Sequence, residues 1–282
     1  LPILLSLCSY STDLSGQIIM PTPGKIERAD GRLRLQGKIR MYAEESPGSF
    51  IRLFYEKLVP ESAVEWCKEE VNSHISWKKD VTLPAEGYRI RVTPERIIVR
   101  AADDAGFIYA IQSLRQWNTG EERGLIFPCV EITDFPRVKW RSFMLDSGRQ
   151  YQKVSTIKKY IDMASMLKMN YFHWHLTEGL GWRIEIKRYP FLTRIGAFVG
   201  QGPEQQGFYS QEEGKEIIGY AADRGITVVP EIDMPGHAEA ALNAYPRLGC
   251  LNVAVKVPQS GFTQNIFCAG KDSTLIFLKN VL

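Results

Sequence analysis

The chain has 282 residues, 44% of them hydrophobic, with 35 Lys+Arg against 32 Asp+Glu. That balance excludes a disordered chain, and a net charge of +3 with no long basic run gives no electrostatic case for nucleic acid or an anionic membrane surface. At roughly 150 residues per domain the length suggests two domains and partners that are neutral or small.

Residues 1–9, Leu-Pro-Ile-Leu-Leu-Ser-Leu-Cys-Ser, read as the tail of a secretory apolar segment without its basic start, so residues 1–16 are expected to be the remnant of a signal. A frayed strand or a mis-chosen start would give the same residues. Leu5-Ser6-Leu7-Cys8 resembles a bacterial lipoprotein cleavage site, except that Leu7 stands where a small residue is expected. A lipid on Cys8 is the one membrane tether this reading offers. The expected location is outside the cytoplasm, namely periplasmic, extracellular or associated with the outer membrane of a bacterium. The five cysteines, Cys8, Cys67, Cys129, Cys250 and Cys268, form no Cys-x-x-Cys pair, which argues against a zinc ribbon and leaves room for one or two bridges.

From 17 to 133 the pattern is one of short strands with polar turns. Gly87 to Val92 and Arg96 to Arg100 alternate with period two around Thr93-Pro94-Glu95, a hairpin, and Ala105 to Gln116 follows with Ile108, Ile111 and Leu114 at helical spacing. This is the grammar of a small α+β domain. Beyond Pro136 strands alternate with helices: a strand over Lys139–Asp146 and a helix over Ile157–Leu167 with Ile157, Tyr160, Ile161, Ala164 and Leu167 on one face. A strand over Asn170–Thr177 follows, then a helix opened by Ser210 and Glu213 as a capping box and closed at Gly225, then a strand over Ile226–Asp233. The last segment, Ser273 to Leu282, is expected to be an amphipathic helix carried by Leu275, Ile276, Leu278 and Leu282. The region 137–282 is therefore expected to hold a parallel sheet, with chemistry at the C-terminal ends of its strands.

Polar residues gather at those ends: Asp146 on the first strand, His173, His175 and Glu178 on the second, Glu231, Asp233 and His237 on the third. A lone histidine is more often packed than working, yet three of the four histidines fall here. His173 and His175 share a face of their strand, a spacing that also suits a metal pair, so a metallohydrolase built on His173, His175 and Asp233 is a rival reading.

Asp134-Phe135-Pro136-Arg137, Trp140 to Arg149, Asn170 to Glu178, Gly181 to Glu185 and Pro230 to His237 together resemble glycoside hydrolase family 20, the β-N-acetylhexosaminidases. The resemblance covers the chain from about Ala101 and implies a (β/α)8 TIM barrel, incomplete here at about its first three βα units, preceded by a small α+β domain. It implies removal of terminal GlcNAc or GalNAc, a terminal N-acetylhexosamine of an oligosaccharide or glycoconjugate as partner, and no metal or organic cofactor. In such enzymes the substrate's own 2-acetamido oxygen is the nucleophile and a protein acid protonates the leaving oxygen. By resemblance, Arg141 is the arginine that grips sugar hydroxyls and is expected to point into a pocket at its strand's C-terminal end. Glu178 and His237 take supporting catalytic roles, orienting the acid, and Trp182 is a structural aromatic. Glu178 stands where the family more often has Asp, and its neighbour is Gly179 rather than a second acid. The acidic pair that supplies the proton donor, preceded by two glycines, occurs nowhere in these residues. The chain is thus expected to be the N-terminal part of such an enzyme, inactive by itself. A noncatalytic sugar-binding protein that keeps Arg141 is the alternative.

Overall fold

The period-two alternation of Tyr88 to Val92 and Ile97 to Ala101 buries Tyr88, Ile90, Val92, Ile97, Val99 and Ala101 on one side, and the two segments pair antiparallel as the centre of a seven-stranded sheet. The computed structural model describes residues 18–120, 124–200, 202–203, 206–256 and 265–282; the expected signal remnant over 1–16, with Cys8, lies outside them. The chain divides into two units at the Phe135–Pro136 junction.

In the first unit the elements are β1 (Lys25–Leu35), β2 (Ile39–Ala43), α1 (Phe50–Lys57), β3 (Val64–Trp66), β4 (Ile75–Lys79), β5 (Tyr88–Val92), β6 (Ile97–Ala101), α2 (Asp104–Trp117) and β7 (Leu125–Asp134). The sheet order is β1-β7-β5-β6-β4-β2-β3. Helix α2 starts where Asp103 accepts a hydrogen bond from the Gly106 amide at 2.9 Å, a cap worth about 1 kcal/mol. Its apolar face, with Phe107, Ile111 and Leu114, joins Phe50, Phe54 and Trp77 in one core over the sheet.

The second unit contains β8 (Ser142–Asp146), α3 (Val154–Met166), β9 (Tyr171–His175), a short hairpin of β10 (Thr177–Glu178) and β11 (Gly181–Trp182), α4 (Phe191–Arg194), α5 (Gln211–Ala222), β12 (Thr227–Glu231), α6 (Glu239–Ala244) and α7 (Asp272–Val281). Strands β8, β9 and β12 form a parallel sheet with β9 in the middle. Phe143, Leu145, Phe172, Trp174 and Val228 point to one face and pack with Ile157 and Ile161 of α3 and Ile217 and Ala221 of α5. By alternation Met144, Asp146, His173, His175, Val229 and Glu231 share the opposite face. Ser210 and Glu213 form the capping box that opens α5, with bonds of 3.1 and 2.9 Å.

Two expectations about helix faces hold only in part. On α3, Ile157, Ile161 and Ala164 are buried but Tyr160 is exposed. On α7 the buried stripe is Thr274, Phe277 and Val281 with Leu278 packed beside it, while Leu275, Ile276 and Leu282 face outward. Phe277 decides that orientation: its ring centre lies 4.8 Å from Tyr189 and 5.7 Å from Phe267, contacts that Leu275 could not fill from the other face. Among the described residues no helix is long and apolar enough to cross a membrane.

Candidate functional site

Register places Asp146, His175 and Glu231 side by side across the C-terminal ends of the three strands, all on the face away from α3 and α5. Glu231 is shared by two imidazoles, its Oε2 lying 2.5 Å from His173 Nε2 and 2.8 Å from His175 Nδ1. Burial pushes the Glu231 carboxyl up, but His175 and His173 outweigh it and hold it below its ordinary value. Both histidines singled out as a metal pair thus turn to the same carboxylate. Asp233, the third member of that rival set, has its Oδ2 3.8 Å from His237 Nε2, and its amide donates to Thr177 Oγ1 at 2.8 Å. Among the described residues no group of three or more His, Cys, Asp and Glu is placed to hold a metal ion.

Above that row the chain turns sharply after β8. The amides of Ser147 and Gly148 both donate to the His175 carbonyl, at 3.0 and 3.1 Å, and the Arg149 amide donates to Asp146 Oδ1 at 2.9 Å. Gly148 is required by closeness: a Cβ there would stand 2.9 Å from the Glu178 Cβ. Arg149 is thereby aimed along the strand ends, where its guanidinium pairs with both Asp146 and Glu178. Burial opposes its charge, but Asp146, Glu178 and Asp233 outweigh that and hold its pKa above the usual arginine value. The side chain remains 42% exposed, so part of the fork is open to a ligand.

Glu178 is almost fully buried, at 2% exposure, and its carboxylate is engaged at both oxygens. Oε2 accepts from the Gly179 amide at 2.6 Å; Oε1 faces Arg149 and lies 2.6 Å from His237 Nδ1. The histidine approach is a close contact off the hydrogen-bond line. His237 reaches it from a left-handed backbone, φ +51°, a conformation that costs a non-glycine residue about 1 to 3 kcal/mol.

Beneath these residues Arg183, fully buried, donates to five backbone carbonyls: Ser147 through Nε at 2.9 Å, Ala197 and Gly207 through Nη1 at 2.8 and 3.0 Å, Gly148 and Leu180 through Nη2 at 3.0 and 3.3 Å. Burial pushes its pKa down to about 10, which leaves it charged at neutral pH. Two of its acceptors belong to the turn carrying Arg149 and one to the hairpin loop after Glu178. Ser147, also buried, accepts from Trp174 Nε1 at 2.9 Å and pairs with Gln152 Oε1 at 2.8 Å.

Glu178 and His237, expected to act together, are therefore brought into contact. Trp182 is buried, donates through Nε1 to the Ile184 carbonyl at 2.7 Å and packs toward Phe277. Arg141 is a correction: it precedes β8 at the N-terminal end of the sheet, where Nε donates to the Lys168 carbonyl at 2.8 Å and Nη1 to the Val138 and Lys139 carbonyls at 2.8 and 3.4 Å. It cannot point into a site at the other end of a five-residue strand. The arginine at the C-terminal end is Arg149, eight positions further along the same motif, and the rule that chemistry sits at the C-terminal ends of such strands was the signal that could have found it. Arg183 had no signal of that kind, because its partners are backbone atoms.

Comparison with known proteins gives the family. Residues 138–282 match the family model for the glycosyl hydrolase family 20 catalytic domain, and residues 17–135 match the model for domain 2 of the same family. The chain is 39% identical to a beta-hexosaminidase of Porphyromonas gingivalis over 94% of this chain and 36% of that protein. It is 36% identical to a beta-hexosaminidase of Vibrio furnissii over 84% of this chain and 40% of that protein. Among solved structures, beta-N-acetylhexosaminidase from Bacteroides fragilis superposes with a TM-score of 0.90 at 96% identity, covering 94% of this chain and 53% of that one. An exo beta-N-acetylglucosaminidase from Vibrio harveyi in complex with N-acetylglucosamine gives a TM-score of 0.84 at 30% identity, covering 94% and 44%. The chain spans about two fifths of the two relatives and about half of the two solved structures. It belongs to glycosyl hydrolase family 20.

Proposed function

We propose that this chain supplies the first βα units of a (β/α)8 barrel, behind its α+β domain, in an exported exo-β-N-acetylhexosaminidase that removes terminal GlcNAc or GalNAc from glycoconjugates. The single observation carrying the reading is the buried Glu178 carboxylate held between Arg149 and His237 at the strand ends. A buried carboxylate held between a guanidinium and an imidazole is fixed in position. It is well suited to set the position and charge of the groups around it. Arg149, half exposed, is the group placed to take the hydroxyls of a terminal sugar, the task the sequence assigned to Arg141. N-acetylglucosamine bound by the Vibrio harveyi relative supports an N-acetylhexosamine as that sugar.

The reaction is a retaining one in which the 2-acetamido oxygen attacks the anomeric carbon while an acid protonates the departing oxygen. Within this chain, His237 and Glu178 orient that acid and Arg149 holds the sugar. The acid itself is not among these residues, since no Gly-Gly-Asp-Glu occurs in them. General acid catalysis is worth about 10²- to 10⁴-fold, so the 282-residue chain alone is expected not to turn over an aryl β-N-acetylglucosaminide. A protein that carries this chain together with the acidic pair is expected to do so. Assaying both with the same chromogenic substrate tests the reading. Comparable turnover by the short form would show that the catalytic groups are misplaced, and no turnover by either would overturn the glycosidase.

A further inference from the structure

Two cysteines beyond the sugar site meet. Cys250 Sγ lies 2.7 Å from Cys268 Sγ, although 18 positions separate them in sequence. The other two described cysteines belong to the first unit: Cys129 is buried there, and Cys67 points its sulfur at the Asn72 carbonyl 3.7 Å away.

The arms that carry the pair are fastened around it. The Cys268 amide donates to the Leu248 carbonyl at 2.8 Å, and Lys271 Nζ donates to the carbonyls of Arg247, at 3.1 Å, and Gly249, and to Asn252 Oδ1 at 2.7 Å. One lysine thus grips both sides of Cys250 from a position three residues past Cys268. The Phe267 amide also donates to the Pro235 carbonyl at 2.9 Å, two residues before His237. Two sulfurs 2.7 Å apart on a braced backbone have only to close to the roughly 2.05 Å of an S–S bond to be joined. Cys250 is exposed and Cys268 half-buried, so both sulfurs are open to a reagent in solution.

We propose that Cys250 and Cys268 form a disulfide that ties the segment after α6 to the entry of α7 and thereby steadies the backbone that presents His237. This goes beyond the glycosidase reading and stands without it. The chemistry is a two-electron exchange with a disulfide oxidant, small-molecule or protein. The Cys268 thiolate attacks one oxidant sulfur, breaking the oxidant's S–S bond and expelling one thiolate. Cys250 then loses its proton to solvent and attacks Cys268 Sγ in the mixed disulfide, forming the internal bond and expelling the second thiolate. Both cysteines are oxidised and one oxidant disulfide is reduced to two thiols. The roles follow the local charge: contact with the Cys250 thiol, then the Gly270 amide and Lys271, lower the Cys268 pKa, while the same contact raises that of Cys250.

The test treats the full-length protein with oxidised glutathione, blocks remaining thiols with a maleimide and digests with trypsin without reduction. Cleavage after Arg247, Lys256 and Lys271 puts the two cysteines on separate peptides, 248–256 and 257–271. The expected result is a species joining those two peptides that separates on reduction, together with a fall in Tm of about 5 °C when the oxidised protein is reduced. Cys250→Ser should abolish both the linked species and the reductant-dependent fall in Tm. Maleimide on both cysteines after oxidation, or a link from either of them to a different cysteine, would overturn the proposal. The peptide map needs only the unmutated protein, so a variant that fails to fold does not blunt it.

Discussion

The two ends of the β8–β9–β12 sheet use arginine in opposite ways. At the N-terminal end Arg141 spends its guanidinium on the carbonyls of Val138, Lys139 and Lys168, tying the chain entering β8 to the chain entering β9. At the C-terminal end Arg149 faces Asp146 and Glu178, and Glu178 in turn faces His237. An arginine bound to carbonyls holds backbone, whereas one bound to carboxylates creates a charged surface that a ligand can share. Arg183 combines the two regions' habits, a carbonyl-binding arginine placed under the carboxylate-binding one.

Breaking that foundation should have the largest effect. Arg183→Ala removes a buried cation and leaves the carbonyls of Ser147, Gly148, Leu180, Ala197 and Gly207 without this donor. A loss of about 3 to 5 kcal/mol in unfolding free energy is expected, read from denaturant titration. Arg183→Lys should recover only part of it, since an ammonium cannot span five acceptors fixed for a planar fork. A variant within 1 kcal/mol of wild type would show that the carbonyls find water instead.

Next in size is the contrast between the two strand-end arginines. Arg149→Ala in the active enzyme is expected to lower kcat/KM by about 2 to 4 kcal/mol of transition-state binding. Arg141→Ala is expected to leave kcat/KM within about twofold while costing about 1 to 2 kcal/mol of stability for its lost carbonyl bonds. Reversed outcomes, with Arg141 controlling turnover and Arg149 only stability, would restore the assignment that the motif alone suggested.

That reversal also marks where the sequence stops being legible. The hairpin β5–β6, the capping box of α5 and the alternation that puts His173 and His175 on one face follow from local chemistry, and the structure has them where the residues place them. Arg141 failed by its end of the strand: even in a strand begun at Lys139 it stands near the N-terminal end, and the ladder starts only at Ser142. The face of α7 failed for a different reason. Leu275, Ile276 and Leu282 are as apolar as Phe277 and Val281, and the choice is made by Trp182, Tyr189 and Tyr245, which come from distant segments. Arg183 was illegible in principle, because a carbonyl that will need a donor looks like every other carbonyl in the sequence.

The smallest expected effect sharpens the comparison at the C-terminal end. Glu231 has its carboxyl held below the ordinary value of 4.5 by His175 and His173, against the upward push of burial. A carboxyl whose pKa is lower folded than unfolded binds fewer protons in the native state, so its contribution to stability is present above about pH 4.5 and disappears as the pH falls through the depressed native value. The side chain is one third exposed, at 33%, and solvent screening keeps that contribution below about 1 kcal/mol. Glu231→Gln should therefore have a shallower loss of stability than wild type between about pH 5 and pH 3, with the two curves drawing together at the acid end. The same substitution at Glu216, which meets Lys158 on the exposed surface at 2.5 Å, supplies the control, since no neighbouring pair of imidazoles depends on it. Parallel acid limbs for wild type and Glu231→Gln would mean that the carboxylate adds nothing to the stability of the row, and the contrast between the two ends of the sheet would then rest on Arg149 and Glu178 alone.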